Sequence, residues 1–171
     1  MQFQQNYFEL LGIPQSFRVD TQALSTRYRQ LQRQFHPDRF AGGTEQEKRL
    51  ALQYATFINE AYDCLKHPLS RAIYLMQLAG FAQNEQSTQA DKAFLMQQML
   101  WRESLDEAES SQDIEALQVD TRDALSQCEQ AFAESYEAKD WPAAQLLVDK
   151  MHFISKFTDE LSLRLQVLNR K

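Results

Sequence analysis

Cysteine is scarce in this 171-residue chain, and the two that occur, Cys64 and Cys128, lack the C-x-x-C spacing of a redox or zinc site. Neither a disulfide nor a metal is indicated, no cofactor is expected, and a reducing, cytoplasmic setting fits best. Histidine is nearly as sparse: His36, His67 and His152 share no ligand-type spacing. No apolar run approaches the length that spans a bilayer, and the opening MQFQQNYF lacks the basic and apolar regions of a signal peptide, so no membrane partner is expected. Only four glycines and four prolines occur, with every glycine at or before Gly80. Residues 81–171, which hold no glycine and one proline, therefore read as helical. A net charge of −6 argues against non-specific nucleic-acid binding.

What is present is unevenly distributed. Residues 1–80 carry nine Lys/Arg against seven Asp/Glu, whereas residues 81–171 carry nine against seventeen. A net of +2 followed by a net of −8 implies two parts with different partners. In the first part, Asn6 with Glu9 three residues on forms a capping-box pattern, so a short helix starts there and stops at Gly12-Ile13-Pro14. Asp20 reads as the N-cap of a longer helix whose Leu24, Tyr28, Leu31 and Phe35 share one face. Its other face is assigned Arg27, Arg29 and Arg33, with no acidic residue between Asp20 and Asp38. After a loop over 36–44, Leu50, Tyr54, Phe57, Ile58, Ala61, Tyr62 and Leu65 mark a return helix, giving an antiparallel helical hairpin. Pro68 interrupts that helix, and a further one runs through Tyr74, Leu75 and Leu78.

The corner between the two long helices is His36-Pro37-Asp38. Proline fixes its own φ, lacks an N–H, and drives the preceding residue out of the α region, so His36 and Asp38 flank a stiff turn. A histidine and a carboxylate so placed suit either a recognition element or an acid/base pair. No Ser, Cys or Lys is arranged nearby as a nucleophile and no glycine-rich phosphate loop occurs, so an enzyme is not expected. The order of short helix, basic helix, HPD, Phe40, aromatic return helix and Leu65-x-x-Pro68-x-x-Arg71 resembles the J domain of DnaJ-type co-chaperones. That resemblance implies that His36, Pro37, Asp38, Arg29, Arg33 and Arg39 dock on a DnaK-like ATPase and promote its ATP hydrolysis.

In the second part, a helix beginning near Asp91 has two apolar sides. Phe94, Trp101, Leu105 and Ala108 cluster on one, and Leu95, Met96 and Met99 on the other, where Glu103, Asp106 and Glu107 also fall. The second side is either buried against another element or exposed for a partner; its carboxylates favour exposure, and methionine suits recognition surfaces. A middle helix from about Asp113 to Tyr136 carries Ile114, Leu117, Leu125, Cys128 and Phe132 on a seam. The last opens at Asp140-Trp141-Pro142 with a seam of Leu147, Met151, Ile154, Leu161, Leu165 and Leu168. Phe153 falls about 120° off that seam and is assigned to the exposed patch.

The expected fold is all-α, with a J domain over 1–79, a linker over 80–90 and an antiparallel three-helix bundle over 91–171. This combination resembles the HscB family of J-type co-chaperones in iron–sulfur cluster assembly, most specifically at Asn6-Tyr7-Phe8, Arg33 to Asp38, His67-Pro68-Leu69, Phe94-Leu95-Met96, Arg102-Glu103 and Leu105-Asp106-Glu107. The family resemblance implies an HscA-type ATPase as one partner. It implies the scaffold IscU as the other, held by Leu95, Met96, Met99, Glu103, Glu107 and Phe153. A monomer is expected. The alternatives are a general J-domain holdase for unfolded clients and, more weakly, a metal-handling enzyme.

Overall fold

The computed structural model describes residues 5–81 and 91–169, and these are helical with no strand among them. Contacts divide the chain into two compact units with the division at Phe81. The linker expected over 80–90 lies outside the described residues from position 82 onward.

In the first unit, helix α1 (Tyr7–Leu11) is closed at its start by the predicted box, Glu9 N–H donating to Asn6 Oδ1 and Asn6 N–H to Glu9 Oε2, each at 3.0 Å. It ends at Gly12 in the left-handed region, φ 62°, where only glycine is unstrained. Helix α2 (Thr21–Gln34) begins on Asp20, whose carboxylate accepts from the Gln22 and Ala23 amides at 2.9 and 3.0 Å. After a 3-10 turn (Pro37–Phe40), α3 (Glu45–Lys66) starts on a second box formed by Thr44 and Glu47. Tyr28 stacks on Tyr62 at 4.0 Å and Phe35 on Tyr54 at 4.8 Å, so α2 and α3 run antiparallel. Phe8, Leu11, Leu24, Ile58, Leu65, Leu75 and Met76 form the core, each at most 1% exposed.

Helix α4 (Pro68–Leu78) explains the Leu-x-x-Pro-x-x-Arg pattern. Pro68 stops α3 and leaves its last carbonyls without intrahelical donors. Buried Arg71 reaches back one turn, its Nη1 donating to the Leu65 carbonyl at 2.7 Å, while its guanidinium lies 4.9 Å from the Phe17 ring centre. Ser70 Oγ likewise donates to the Cys64 carbonyl at 2.6 Å.

The second unit comprises α5 (Lys92–Glu107), α6 (Ser111–Glu137) and α7 (Trp141–Leu168). Ser111 Oγ is hydrogen-bonded to Asn169 Oδ1 at 2.8 Å, and Tyr136 meets Trp141 edge-on at 5.7 Å, so α6 and α7 are antiparallel. Helix α5 runs parallel to α7: Asp91 pairs with Lys150, Phe94 with Phe153 and Arg102 with Glu160. Trp101, Leu105, Ala108, Ile114, Leu117, Ile154, Phe157 and Leu161 form one core cluster.

Three expectations need correcting here. Helix α6 starts on Ser110 rather than near Asp113, because Asp113 is the third residue of a capping box with Ser110. On α7, Val148 and Phe157 are fully buried whereas Leu147 is only half-buried. Phe153, placed on the exposed side by the seam, is half-buried and also packs against the core. A helix between two neighbours buries an arc wide enough for both, and α5 covers the flank that a single seam leaves open.

Candidate functional sites

The HPD corner is positioned by the end of α2. Phe35 caps that helix, with its N–H bonded to the Leu31 carbonyl at 3.0 Å, and His36 leaves it in an extended conformation, as the following proline requires. His36 Nδ1 accepts from the Asp38 amide at 3.2 Å, and the His36 carbonyl accepts from the Arg39 amide at 3.0 Å. The Asp38 carboxylate, 3.6 Å from the same nitrogen and 91% exposed, projects into solvent. The hydrogen bonds that Asp38 makes within the corner come from its backbone, while its carboxylate is largely open to solvent.

Arg29 and Arg33 are both exposed on α2, about 40° apart around the helix. Arg27 does not join them, because it lies roughly 160° from Arg29 and its guanidine sits beside Gly12, 3.4 Å from where a Cβ there would fall. Arg39 is exposed but also anchored, Nη1 donating to the Arg33 carbonyl at 3.3 Å. It thereby ties the turn to the last turn of the basic helix.

On α5, Leu95, Met96 and Met99 are 44%, 66% and 72% exposed, so the second apolar side of this helix faces solvent. A groove of about 780 Å³ is lined by Leu95, Gln98, Met99, Arg102, Glu103, Asp106, Glu107 and Phe153. Five of the six residues assigned from sequence to a scaffold surface therefore line one concavity. Met96 does not line it, although it is exposed and lies on the same edge of α5 as Glu103. Phe153 is half-buried, perpendicular to Phe94 with centres 5.7 Å apart and nearly parallel to Phe157 at 6.0 Å. It contributes to the groove as the edge of the core.

Gln98, Arg102 and Asp106 were not among the expected site residues. Their signal was available in the spacing, since 95, 98, 99, 102, 103 and 106 form one helical stripe. The contact between Arg102 Nη1 and Glu160 Oε2 on α7, at 2.5 Å, had none. At the start of α5, Lys150 is 2.5 Å from Asp91 Oδ2 and 5.4 Å from the Phe94 ring centre. The Lys150 hydrogen bond, with the Phe94 and Ala93 amides, holds the Asp91 carboxyl below the usual carboxylate range. Both thiols are half-buried, and burial pushes Cys64 up to about 11 and raises Cys128. Cys128 therefore behaves as an unreactive packing group.

Among the described residues there is no group of three or more His, Cys, Asp or Glu able to hold a metal ion, and no helix long and apolar enough to cross a membrane.

Comparison with known proteins follows the same division. Residues 6–74 match the DnaJ domain, and residues 90–162 match the HSCB C-terminal oligomerisation domain. The co-chaperone protein HscB of Proteus mirabilis strain HI4320 is 41% identical over 161 residues, covering 91% of this chain and 93% of the relative. The human co-chaperone HscB structure superposes with a TM-score of 0.91 at 32% identity, over 96% of this chain and 84% of the human one. The chaperone HscB of Vibrio cholerae gives 0.86 at 35% identity, over 96% and 99%.

Proposed function

As this chain belongs to the HscB family of J-domain co-chaperones, we propose that it couples an ATPase to a cargo in iron–sulfur cluster assembly. It stimulates a specialised DnaK-like chaperone of the HscA type and delivers the scaffold IscU to it for cluster maturation and transfer. The observation that carries this reading is one chain bearing two dissimilar binding features. One is an exposed HPD corner beside Arg29 and Arg33; the other is an apolar groove edged by Glu103, Asp106 and Glu107.

The division of labour follows from the chemistry. The arginines of α2 supply orientation and association rate, each exposed contact contributing about 1 kcal/mol or less. The Asp38 carboxylate, held by a turn that needs none of its charge, is the specific trigger. The groove takes the scaffold through Leu95, Met99 and Phe153, with Met96 at its border and the carboxylates selecting a basic surround. Residues 1–79 then serve the ATPase and 91–171 the scaffold, and their covalent linkage raises the local concentration of scaffold at the ATPase. Each site is complete within one chain, so a monomer suffices, in a reducing cytoplasm that suits two free thiols.

The test is ATPase turnover of an HscA-type chaperone with and without this protein and scaffold. Stimulation that Asp38→Asn abolishes, and scaffold synergy that Met96→Ala with Met99→Ala abolishes while basal stimulation survives, are the expected results. Unchanged stimulation by Asp38→Asn would sink the role of the corner. Binding of denatured proteins as tightly as the folded scaffold would instead favour a general holdase.

A further inference from the structure

Both cysteines and four of the five methionines lie within the described residues, and burial divides their sulfur atoms into two groups. Met76 and Met151 are 1% and 0% exposed, each in a core. Cys64 and Cys128 are half-buried, and burial raises the pKa of both thiols, so little of the oxidisable thiolate is present near neutral pH. Met96 and Met99 are 66% and 72% exposed and sit about 60° apart on one edge of α5. A thioether has no proton to shield it, so exposure decides its reactivity. The accessible sulfur of the described residues is therefore confined to this edge, and the stretch from Leu24 to Phe40, with the basic helix and the HPD corner, contains no sulfur at all.

We propose that Met96 and Met99 form a reversible oxidation site that switches off scaffold binding while leaving the ATPase-directed corner active. The proposal rests on the reading of this face as the scaffold site and concerns its regulation. The thioether sulfur attacks one oxygen of hydrogen peroxide: an S–O bond forms as the O–O bond breaks, the sulfur is oxidised by two electrons, and the peroxide is reduced to water. The resulting sulfoxide is polar and brings an acceptor oxygen to a face already edged by Glu103, Asp106 and Glu107. Docked against an apolar partner surface, that oxygen is left without a donor, which opposes binding. Two thiols of a methionine sulfoxide reductase reverse the step, becoming a disulfide while the oxygen leaves as water. Leu95 and Leu100, 44% and 51% exposed on the same helix, supply apolar surface without this chemistry, so methionine at 96 and 99 adds a reactivity that packing does not require.

The test treats the full-length chain with hydrogen peroxide, removes the peroxide with catalase, maps the added oxygen by peptide mass spectrometry and titrates untreated scaffold by calorimetry, with circular dichroism melts confirming that the chain stays folded. Oxygen is expected at Met96 and Met99 well before Met76, Met151 or either thiol. Scaffold binding should weaken about tenfold and recover after methionine sulfoxide reductases acting on both epimers, while scaffold-independent ATPase stimulation is unchanged. Met96→Leu with Met99→Leu, whatever its own affinity, should bind equally before and after treatment. Oxidation of the buried methionines as fast as the exposed pair, native affinity in the oxidised chain, a peroxide-induced loss that persists in the leucine variant, or loss of ATPase stimulation overturns the proposal. Met99→Ala separates it from the reading beneath it: weak binding there with no effect of oxidation removes the switch alone, whereas native affinity in Met99→Ala overturns the groove reading and the proposal with it.

Discussion

Phe153 of α7 lies parallel to Trp101 of α5, their planes within 6° and their centres 6.5 Å apart. Trp101 is in turn nearly parallel to Phe157 at 5.9 Å. The edge of the groove is thus continuous with the aromatic core of the bundle, and its shape is present before any partner arrives. Such preorganisation removes an ordering cost that an assembled-on-contact surface would carry.

Phe153→Ala and Met99→Ala should separate core from contact. Met99, 72% exposed, is expected to change stability by no more than about 0.5 kcal/mol while costing about 1 to 3 kcal/mol of scaffold affinity. Phe153→Ala should lose similar affinity and, because it breaks the ring layer, roughly 2 kcal/mol of stability. Urea unfolding paired with calorimetry measures both.

Asp38→Asn should leave the corner intact, since it is the Asp38 amide that hydrogen-bonds His36 Nδ1, with the carboxylate farther away at 3.6 Å. The backbone amide signals of His36 and Asp38 in nitrogen-15 NMR are expected to keep their native pattern while ATPase stimulation falls more than about tenfold. A rearranged corner in that variant would mean that the charge holds the turn.

Replacing Arg71 with methionine should preserve much of its packing but orphan the Leu65 carbonyl at the end of α3. A loss of about 1 to 3 kcal/mol in unfolding free energy is expected. The helix content of the J unit would fall with temperature before that of the bundle, as followed by hydrogen exchange.

Asp91 gives an acid-side prediction. The native state binds a proton at Asp91 less readily than the unfolded chain does, because Lys150 and two amides favour the carboxylate. Its contribution is present above the unfolded pKa of about 3.9 and is lost as pH falls through the lower native value. Asp91→Asn should therefore flatten the fall of the urea midpoint below about pH 4. An unchanged acid slope in that variant would show that the pair does not matter.

At pH 8, Cys64 should react with iodoacetamide far more slowly than a model thiol, because its pKa lies near 11. Alkylation followed by intact mass, native and in urea, reads this directly; rapid native labelling would show that the site opens.

Local chemistry made the helix frame legible: Asn6, Asp20 and Asp140 cap helices through contacts within three residues, and Pro68 ends one by lacking a donor. The HPD corner was legible for the same reason, since Pro37 acts on its immediate neighbours. The second apolar side of α5 followed from period, as Leu95, Met96 and Met99 fall apart from Phe94 and Trp101 around a helix, but only packing decided that it is exposed. What period cannot supply is the identity of the neighbours. Arg27 was grouped with Arg29 and Arg33 until α1 claimed it, and the contacts of Phe153 with Phe94 and Trp101 exist only because α5 packs beside α7. The bond from Arg102 to Glu160 spans 58 residues and depends on how α5 packs along α7. Caps and turns are decided over a few bonds and are written in the chain, whereas the wall of the groove exists only when two distant helices meet.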